Sequence, residues 1–471
     1  MNITPDLAAP SPALKRTMHG FGALMITLSC LSPTIGVFVV GSDVIRQAGT
    51  ATFVCFVAAA LLGVAMACVY AELVSAFPET GGEYTLLGRT LGPTAGFAAL
   101  GWNLTGFTIA QALSGQGVVT FLAVLAPGLP AIPTAIALIV TVTAIAILNI
   151  QLNALITGAF LALEILSLAV LCALGFAHPH RSLAAAVLHP LALNGAGALI
   201  PASVAVMGTA AAGAIYAFNG YGAVVFLGEE MHDAPRRVAA VIFGALGLAA
   251  LFQLAPVLAV LIGAPDLKAL MSAPAPLPAF IRAAGGPWLG AAMSLAVALA
   301  IFNAMIAVSL MAGRQLYSTG RDRVWSGALN KAFTVLHPRF HSPWIATLVM
   351  GGVGIAWCFV PLAILVTVIA SGTVALYAGM CLAALAGRRA GSTAHGHWRM
   401  PLFPLAPIVA LAALAGVLWT SLTDERVGRP GLVATAAVIA VSVLLYRLVL
   451  RPRGTWADRG PAGADPAAGA E

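Results

Sequence analysis

Charge is scarce in this chain. Asp, Glu, Lys and Arg make up 8% of its 471 residues, against about 25% in a soluble globular domain. A soluble fold is therefore excluded, and counting domains from length does not apply. Aromatics are also few, at 7%, and they do not interleave with Lys or Arg. The formal net charge of +7 is thus no sign of a nucleic-acid surface. The six cysteines, Cys30, Cys55, Cys68, Cys172, Cys358 and Cys381, all fall in apolar stretches and none forms a CxxC pair. That excludes a disulfide scaffold and a thiolate zinc site. Two HxH pairs, His178/His180 and His395/His397, lie between apolar runs without cysteine or carboxylate company. A metal needs three or four ligands, so no metal is expected, and no cofactor either. There is no GxxxxGK[ST] loop for ATP drive. GxSxG, HExxH and paired intramembrane aspartates are missing too, which argues against an intramembrane enzyme.

Apolar residues fill the space instead. They make up 60% of the chain, and the mean hydropathy is +0.98. A membrane span needs about 20 apolar residues, and twelve segments between residues 20 and 450 qualify. The expected fold class is all-α and polytopic. It starts with a cytoplasmic tail at 1–19, ahead of an uncleaved first anchor, since the first apolar run is too long for a signal peptide. A ten-helix core at 20–386 follows, then two more spans at 402–450 and a disordered tail at 451–471. Of the 23 Lys and Arg residues, Arg46, Arg181, Lys268, Arg282, Arg426 and Arg429 fall on one side, and the other 17 on the side of both termini. The positive-inside rule places both termini in the cytoplasm. Short loops and the lack of disulfides suit a bacterial inner membrane.

Two of the apolar runs are interrupted. The first contains Leu31-Ser32-Pro33-Thr34-Ile35-Gly36, and the sixth contains Tyr216-Ala217-Phe218-Asn219-Gly220-Tyr221-Gly222. Proline removes a backbone donor and glycine eases departure from the helix. In lipid, unpaired backbone groups are costly unless they line a cavity. Two breaks five spans apart cross the bilayer in opposite directions. That is the pattern of a 5+5 inverted repeat, here about 20–177 and about 203–386, with discontinuous helices 1 and 6. Half-helix N-termini carry positive partial charge and freed carbonyls negative partial charge, so a zwitterion suits such a site.

Further stretches join these: Tyr70-Ala71-Glu72-Leu73, Phe77-Pro78-Glu79-Thr80-Gly81-Gly82-Glu83-Tyr84, Gly228-Glu229-Glu230, Pro235-Arg236-Arg237, Arg314-Gln315-Leu316-Tyr317 and His337-Pro338-Arg339. In order and spacing, from Phe21 to Arg339, the chain resembles the amino acid–polyamine–organocation permease superfamily, of the bacterial amino acid permease type. The resemblance implies a leucine-transporter-type fold and alternating access around a midplane site. It implies that the substrate carboxylate meets the backbone of Thr34, Ile35 and Gly36, and the ammonium meets carbonyls near Ser32, Pro33, Phe218 and Asn219. Gly220 and Gly222 belong to the second break, and Tyr221 acts as a lid. Where the superfamily often has Gly-Ser-Gly, this chain has Thr34-Ile35-Gly36. Gly222 stands where some cationic amino acid carriers have an acid, which argues against arginine or lysine as substrate.

Glu164, in the middle of the fifth span, is the remaining outlier, because an intramembrane carboxylate is usually functional. It is the proton-coupling candidate. Glu72, Glu229, Glu230, Arg236 and Arg237, with Glu79, Glu83 and Arg89 beside them at the inner face, are candidates for an inner gate, and solvated loop charges are the other reading. The amides Gln111, Gln116 and Asn303 suit helix packing, and the hydroxyls of Thr209, Ser309 and Thr373 do not by themselves point to sodium. The expected function is secondary active transport of amino acids or related small amines, by proton symport or exchange. A membrane potential of about 100 mV supplies roughly 2.3 kcal/mol per charge, so one proton suffices for accumulation. A polyamine- or GABA-type amine permease or antiporter, and a transport-incompetent sensor on the same fold, stay open, as does the oligomeric state.

Overall fold

The computed structural model describes residues 16–423, 425 and 428–453. Most of the two expected tails, and Arg426, lie outside these. The described chain is almost entirely helical, with one two-stranded antiparallel hairpin, Leu191–Leu193 against Leu199–Pro201. Seven helical stretches are long and apolar enough to cross a membrane. They are Gly20–Ala76, Ile150–Ala177, Ala234–Gly263, Pro276–Arg321, Val368–Ala390, Leu405–Thr423 and Gly428–Leu450, and Ala131–Ala146 and Trp344–Trp357 are shorter apolar helices. Pro93–Leu122 is a further helix of 30 residues that carries Asn103, Gln111 and Gln116.

The helices sort their side chains as a lipid solvent demands. Leu61, Leu155, Leu251, Phe359, Trp419 and Val433 point outward. On a protein in water such a surface would be a liability; in a bilayer it is satisfied. Inside, Pro276–Arg321 packs on Pro93–Leu122, Ile150–Ala177 and Trp344–Trp357. Ala234–Gly263 packs on Thr52–Ala76 and Ile150–Ala177, and Gly20–Leu31 lies among them.

Two stretches between the apolar runs carry structure of their own. In 178–202, Ser182 caps a short helix, Leu183–Leu188, by accepting the Ala185 N–H, and the hairpin follows. In 265–287, Asp266 caps Leu267–Ser272 by accepting two backbone N–H groups. Pro276 then opens the next helix at a position where no N–H is required. Near its start this helix is kinked at Gly286 (φ 80°, ψ 176°), just before Pro287. These hydrophilic caps sit within windows too short and too mixed for apolar periodicity to register. Likewise, the charged 321–342 loop holds a small helix, Gly327–Phe333.

Candidate functional site

The first break is built around Ser32. It ends Gly20–Leu31 in the left-handed region (φ 43°, ψ 86°), and its N–H bonds the Leu28 carbonyl. Pro33, which lacks an N–H, restarts the helix. The chain then runs through a widened π segment, Gly36–Gly41, before resuming as Ser42–Ala48. A non-glycine residue in this conformation costs roughly 1–2 kcal/mol, and such strain persists where the surroundings over-determine it. Here the holder is Glu164, whose Oε2 accepts the Ser32 hydroxyl at 3.1 Å. Glu164 Oε1 accepts Asn303 Nδ2 at 3.0 Å. The carboxylate is 1% exposed, and no basic side chain among the described residues pairs with it. Asn303 Oδ1 and Thr34 Oγ1 are buried without a hydrogen-bond partner.

At the second break, Val204–Ala217 ends in tight turns. The Phe218 N–H bonds the Ile215 carbonyl, and the Asn219 N–H bonds the Tyr216 carbonyl. Gly220 follows at φ 120°, where a Cβ would stand 2.7 Å from the Leu31 Cα. Only glycine lets the two broken backbones approach this closely. A 3-10 turn, Tyr221–Phe226, continues from there. The Tyr377 hydroxyl donates to Asn219 Oδ1 at 2.7 Å.

One residue the sequence reading passed over joins the two breaks. Gln253, in Ala234–Gly263, is fully buried. Its Nε2 donates to the Ala217 carbonyl at 2.8 Å, and its amide lies where a Cβ on Gly36 would come within 2.7 Å. Its Oε1 has no partner. The available signal was an amide in an otherwise apolar span, the same signal that marked Gln111, Gln116 and Asn303.

The expected gate residues separate into two groups. Glu229 meets Arg321, accepts the Thr80 N–H at 3.0 Å, and returns its own N–H to the Thr80 hydroxyl at 3.1 Å. Glu230 meets Arg314 through two bonds, Nε to Oε2 and Nη2 to Oε1, the latter at 2.9 Å. Glu72 is held by Arg388 at 2.8 and 2.5 Å and by the Met400 N–H at 2.9 Å. Asp322 sits beside Arg321 at 3.1 Å and accepts the Tyr84 hydroxyl. In the loop after Ala76, Glu79 pairs with Arg89 at 2.8 Å. Burial pushes the Glu79 carboxyl above its ordinary range, against the lowering pull of Arg89. Arg236 and Arg237, in contrast, lie exposed at the start of Ala234–Gly263 and form no ion pair among the described residues. The basic partners come instead from the end of Pro276–Arg321 and from Leu362–Ala390. Ahead of the first helix, the N–H groups of Thr17 and Met18 both bond the Glu230 carbonyl (3.1 and 2.9 Å), and the His232 N–H bonds the Met18 carbonyl at 2.9 Å.

Asp43 and Arg46 form an exposed pair 3.8 Å apart, worth little in solvent. No cluster of three or more His, Cys, Asp or Glu side chains is positioned for a metal among the described residues.

The amino acid permease family matches this chain across residues 20–444. An uncharacterized transporter of Mycobacterium tuberculosis is 28% identical over 345 residues, 72% of this chain and 73% of the relative. A methylthioribose transporter of Bacillus subtilis is 24% identical over 478 residues, covering 95% and 96% of the two chains. A low-affinity putrescine importer of Escherichia coli is 22% identical over 368 residues, covering 75% and 76%. With a match over nearly its whole length and its series of apolar helices, the chain is a multi-pass membrane transporter that belongs to the amino acid permease family of the amino acid–polyamine–organocation superfamily.

Proposed function

We propose that this protein is a secondary active transporter. It moves amino acids or related small amines across the cytoplasmic membrane by alternating access, coupled to protons by symport or exchange. On this reading the chain has twelve spans. The core at 20–386 is a 5+5 inverted repeat with discontinuous helices 1 and 6, two further spans occupy 402–450, and both termini are cytoplasmic. The observation that carries the reading is the meeting of the two breaks, with Gly220 against Leu31 and Gln253 touching both. Substrate is held at Ser32, Pro33, Thr34, Ile35 and Gly36 on one side and at Phe218, Asn219, Gly220, Tyr221 and Gly222 on the other. The ion pairs of Glu229 with Arg321 and Glu230 with Arg314 latch the inner side.

Glu164 is the coupling group. Its two oxygens accept the Ser32 hydroxyl and the Asn303 amide, and gaining a proton there weakens the hold on the strained Ser32, because a neutral acid accepts hydrogen bonds less well than a carboxylate. Proton occupancy and the shape of the first break are thereby linked. The test is uptake of labelled neutral amino acids and amines into proteoliposomes, with and without an inward proton gradient. One pH unit is worth about 1.4 kcal/mol per proton, roughly tenfold accumulation. The wild-type protein should reach about that level with one proton per substrate and lose it when a protonophore is added. Glu164→Gln should still bind and equilibrate substrate without accumulating it. Full gradient-driven accumulation by the variant would remove Glu164 from the coupling. Binding without any flux in the wild type would identify a sensor.

A further inference from the structure

Most buried acids on the described residues are matched by a base: Glu72 by Arg388, Glu79 by Arg89, Glu229 and Asp322 by Arg321, and Glu230 by Arg314. Besides Glu164, one more stands apart. Glu83, at the start of Glu83–Leu91, is 6% exposed, and its two oxygens meet only neutral donors. Tyr70 Oη reaches Oε1 at 3.1 Å, and Asn103 Nδ2 reaches Oε2 at 2.9 Å. Burying a carboxylate without a counter-charge is expensive, and the chain supplies guanidinium groups to its neighbours but none here.

The surroundings of Glu83 have a particular character. Tyr70, Tyr221 and Tyr377 form a mutual trio, with ring centroids 5.9 Å (Tyr70–Tyr221), 6.1 Å (Tyr70–Tyr377) and 6.5 Å (Tyr221–Tyr377) apart. All three rings are buried. The Tyr221 hydroxyl closes no hydrogen bond of ordinary geometry. The trio abuts the second break. Tyr377 donates to Asn219, and a Cβ on Gly222 would come within 2.7 Å of the Tyr70 ring. The tyrosines come from three different elements, Thr52–Ala76, Tyr221–Phe226 and Leu362–Ala390, so relative motion of these elements parts the rings. Tyrosine faces attract cations at short range, and a carboxylate beyond them completes a site for a positively charged group.

We propose that Glu83, together with the rings of Tyr70, Tyr221 and Tyr377, binds a protonated aliphatic amine, so that the transported substrate is a diamine or longer polyamine with one polar end at the second break and an ammonium at Glu83. This deepens the transport reading and rests on its placement of substrate at the breaks. It also answers the lack of an acid at Gly222, since the acid comes from a different element and lies beyond the tyrosines.

The test is equilibrium binding to the purified full chain in lipid nanodiscs, with putrescine, butylamine, 1,4-butanediol and leucine as probes. Putrescine should bind best, butylamine more weakly, and butanediol, which has the same length and no charge, not measurably. Glu83→Gln preserves the shape and should lose at least about tenfold in putrescine affinity, as a charged hydrogen bond is removed. Tyr377→Leu should lose about fivefold through the missing ring, and more than Tyr377→Phe, which keeps the ring and gives up only the hydroxyl's bond to Asn219. This pair keeps the test decisive even if Glu83→Gln fails to fold. The proposal is overturned if butanediol matches putrescine, if the wild type binds no amine, or if Glu83→Gln binds putrescine as the wild type does; Glu83 is then a protonated packing acid. Proteoliposome flux separates the two readings. Leucine uptake without amine binding leaves the transporter reading intact, and Glu83-dependent putrescine binding without flux of any substrate leaves the amine site intact.

Discussion

Gly36→Leu is expected to leave the protein in the membrane and weaken substrate binding by at least about a hundredfold, roughly 2.7 kcal/mol. The reason lies in one contact. A Cβ at position 36 would stand 2.7 Å from Cδ and Oε1 of Gln253 and 2.8 Å from its Nε2. Gln253 must then withdraw, and its bond to the Ala217 carbonyl breaks inside a dry core. An orphaned buried acceptor costs about 1–3 kcal/mol, and the leucine side chain also enters the space between the breaks. Insertion depends on the apolar spans, which the substitution leaves alone, so the amount of protein in the membrane should hold. Equilibrium binding of whichever labelled substrate is taken up by the wild type measures the effect. Unchanged affinity would reduce the first break to an ordinary kink. Gly36→Ala combined with Gln253→Ala relieves the crowding but removes the bridge. It should recover thermal stability relative to Gly36→Leu without recovering affinity.

Arg314→Ala should cost about 3–5 kcal/mol of stability, the usual consequence of stranding one partner of a buried pair. Arg314 is 1% exposed and meets Glu230 through two bonds, so its removal leaves an uncompensated carboxylate. Thermal melting in detergent reads the loss directly. Arg314→Met with Glu230→Met removes both charges at similar volume, and by the same physics should restore most of the melting temperature. The double variant then separates two roles. A pair that only supports the fold leaves transport near wild type in the double variant. A pair that latches the inner side leaves the double variant stable and its inner vestibule more accessible to a membrane-impermeant thiol reagent, read at a cysteine introduced there. A single variant as stable as the wild type would sink the reading of this pair as a support of the fold.

What could be read in the sequence follows from how each signal is carried. Ser32-Pro33 and Asn219-Gly220 stand out because proline, glycine and polar residues contradict the apolar runs around them. Glu164 stands out because a lone carboxylate in such a run has few innocent explanations. These are local contradictions, visible one residue at a time. The ion pairs are another matter. Glu230 and Arg314 are 84 residues apart, and Glu229 and Arg321 are 92 apart. Nothing in the short-range pattern chooses Arg314 and Arg321 over the adjacent Arg236 and Arg237, and proximity in sequence favours the wrong pair of bases. Gln253 was hidden differently. A single amide among apolar residues reads as interhelical glue, and only the closeness of Gly36 and the Ala217 carbonyl gives it a place between the breaks. Glu83 reads in the sequence only as one of several inner-face charges, since Glu79 to Arg89 look like a gate or a solvated loop until their burial and partners are known.

The backbone of Glu230 adds a reporter that needs no label. Its carbonyl holds the amides of Thr17 and Met18, while its carboxylate is held by Arg314. A motion that draws Glu230 away from Arg314 therefore strains or releases two amide hydrogens near one end of the chain. If the Glu230–Arg314 pair works as the proposed latch, deuterium uptake in the peptide containing residues 17 and 18 becomes a clock for its state. Substrate or proton-gradient conditions that change how often the latch opens alter the rate at which that distant peptide gains mass.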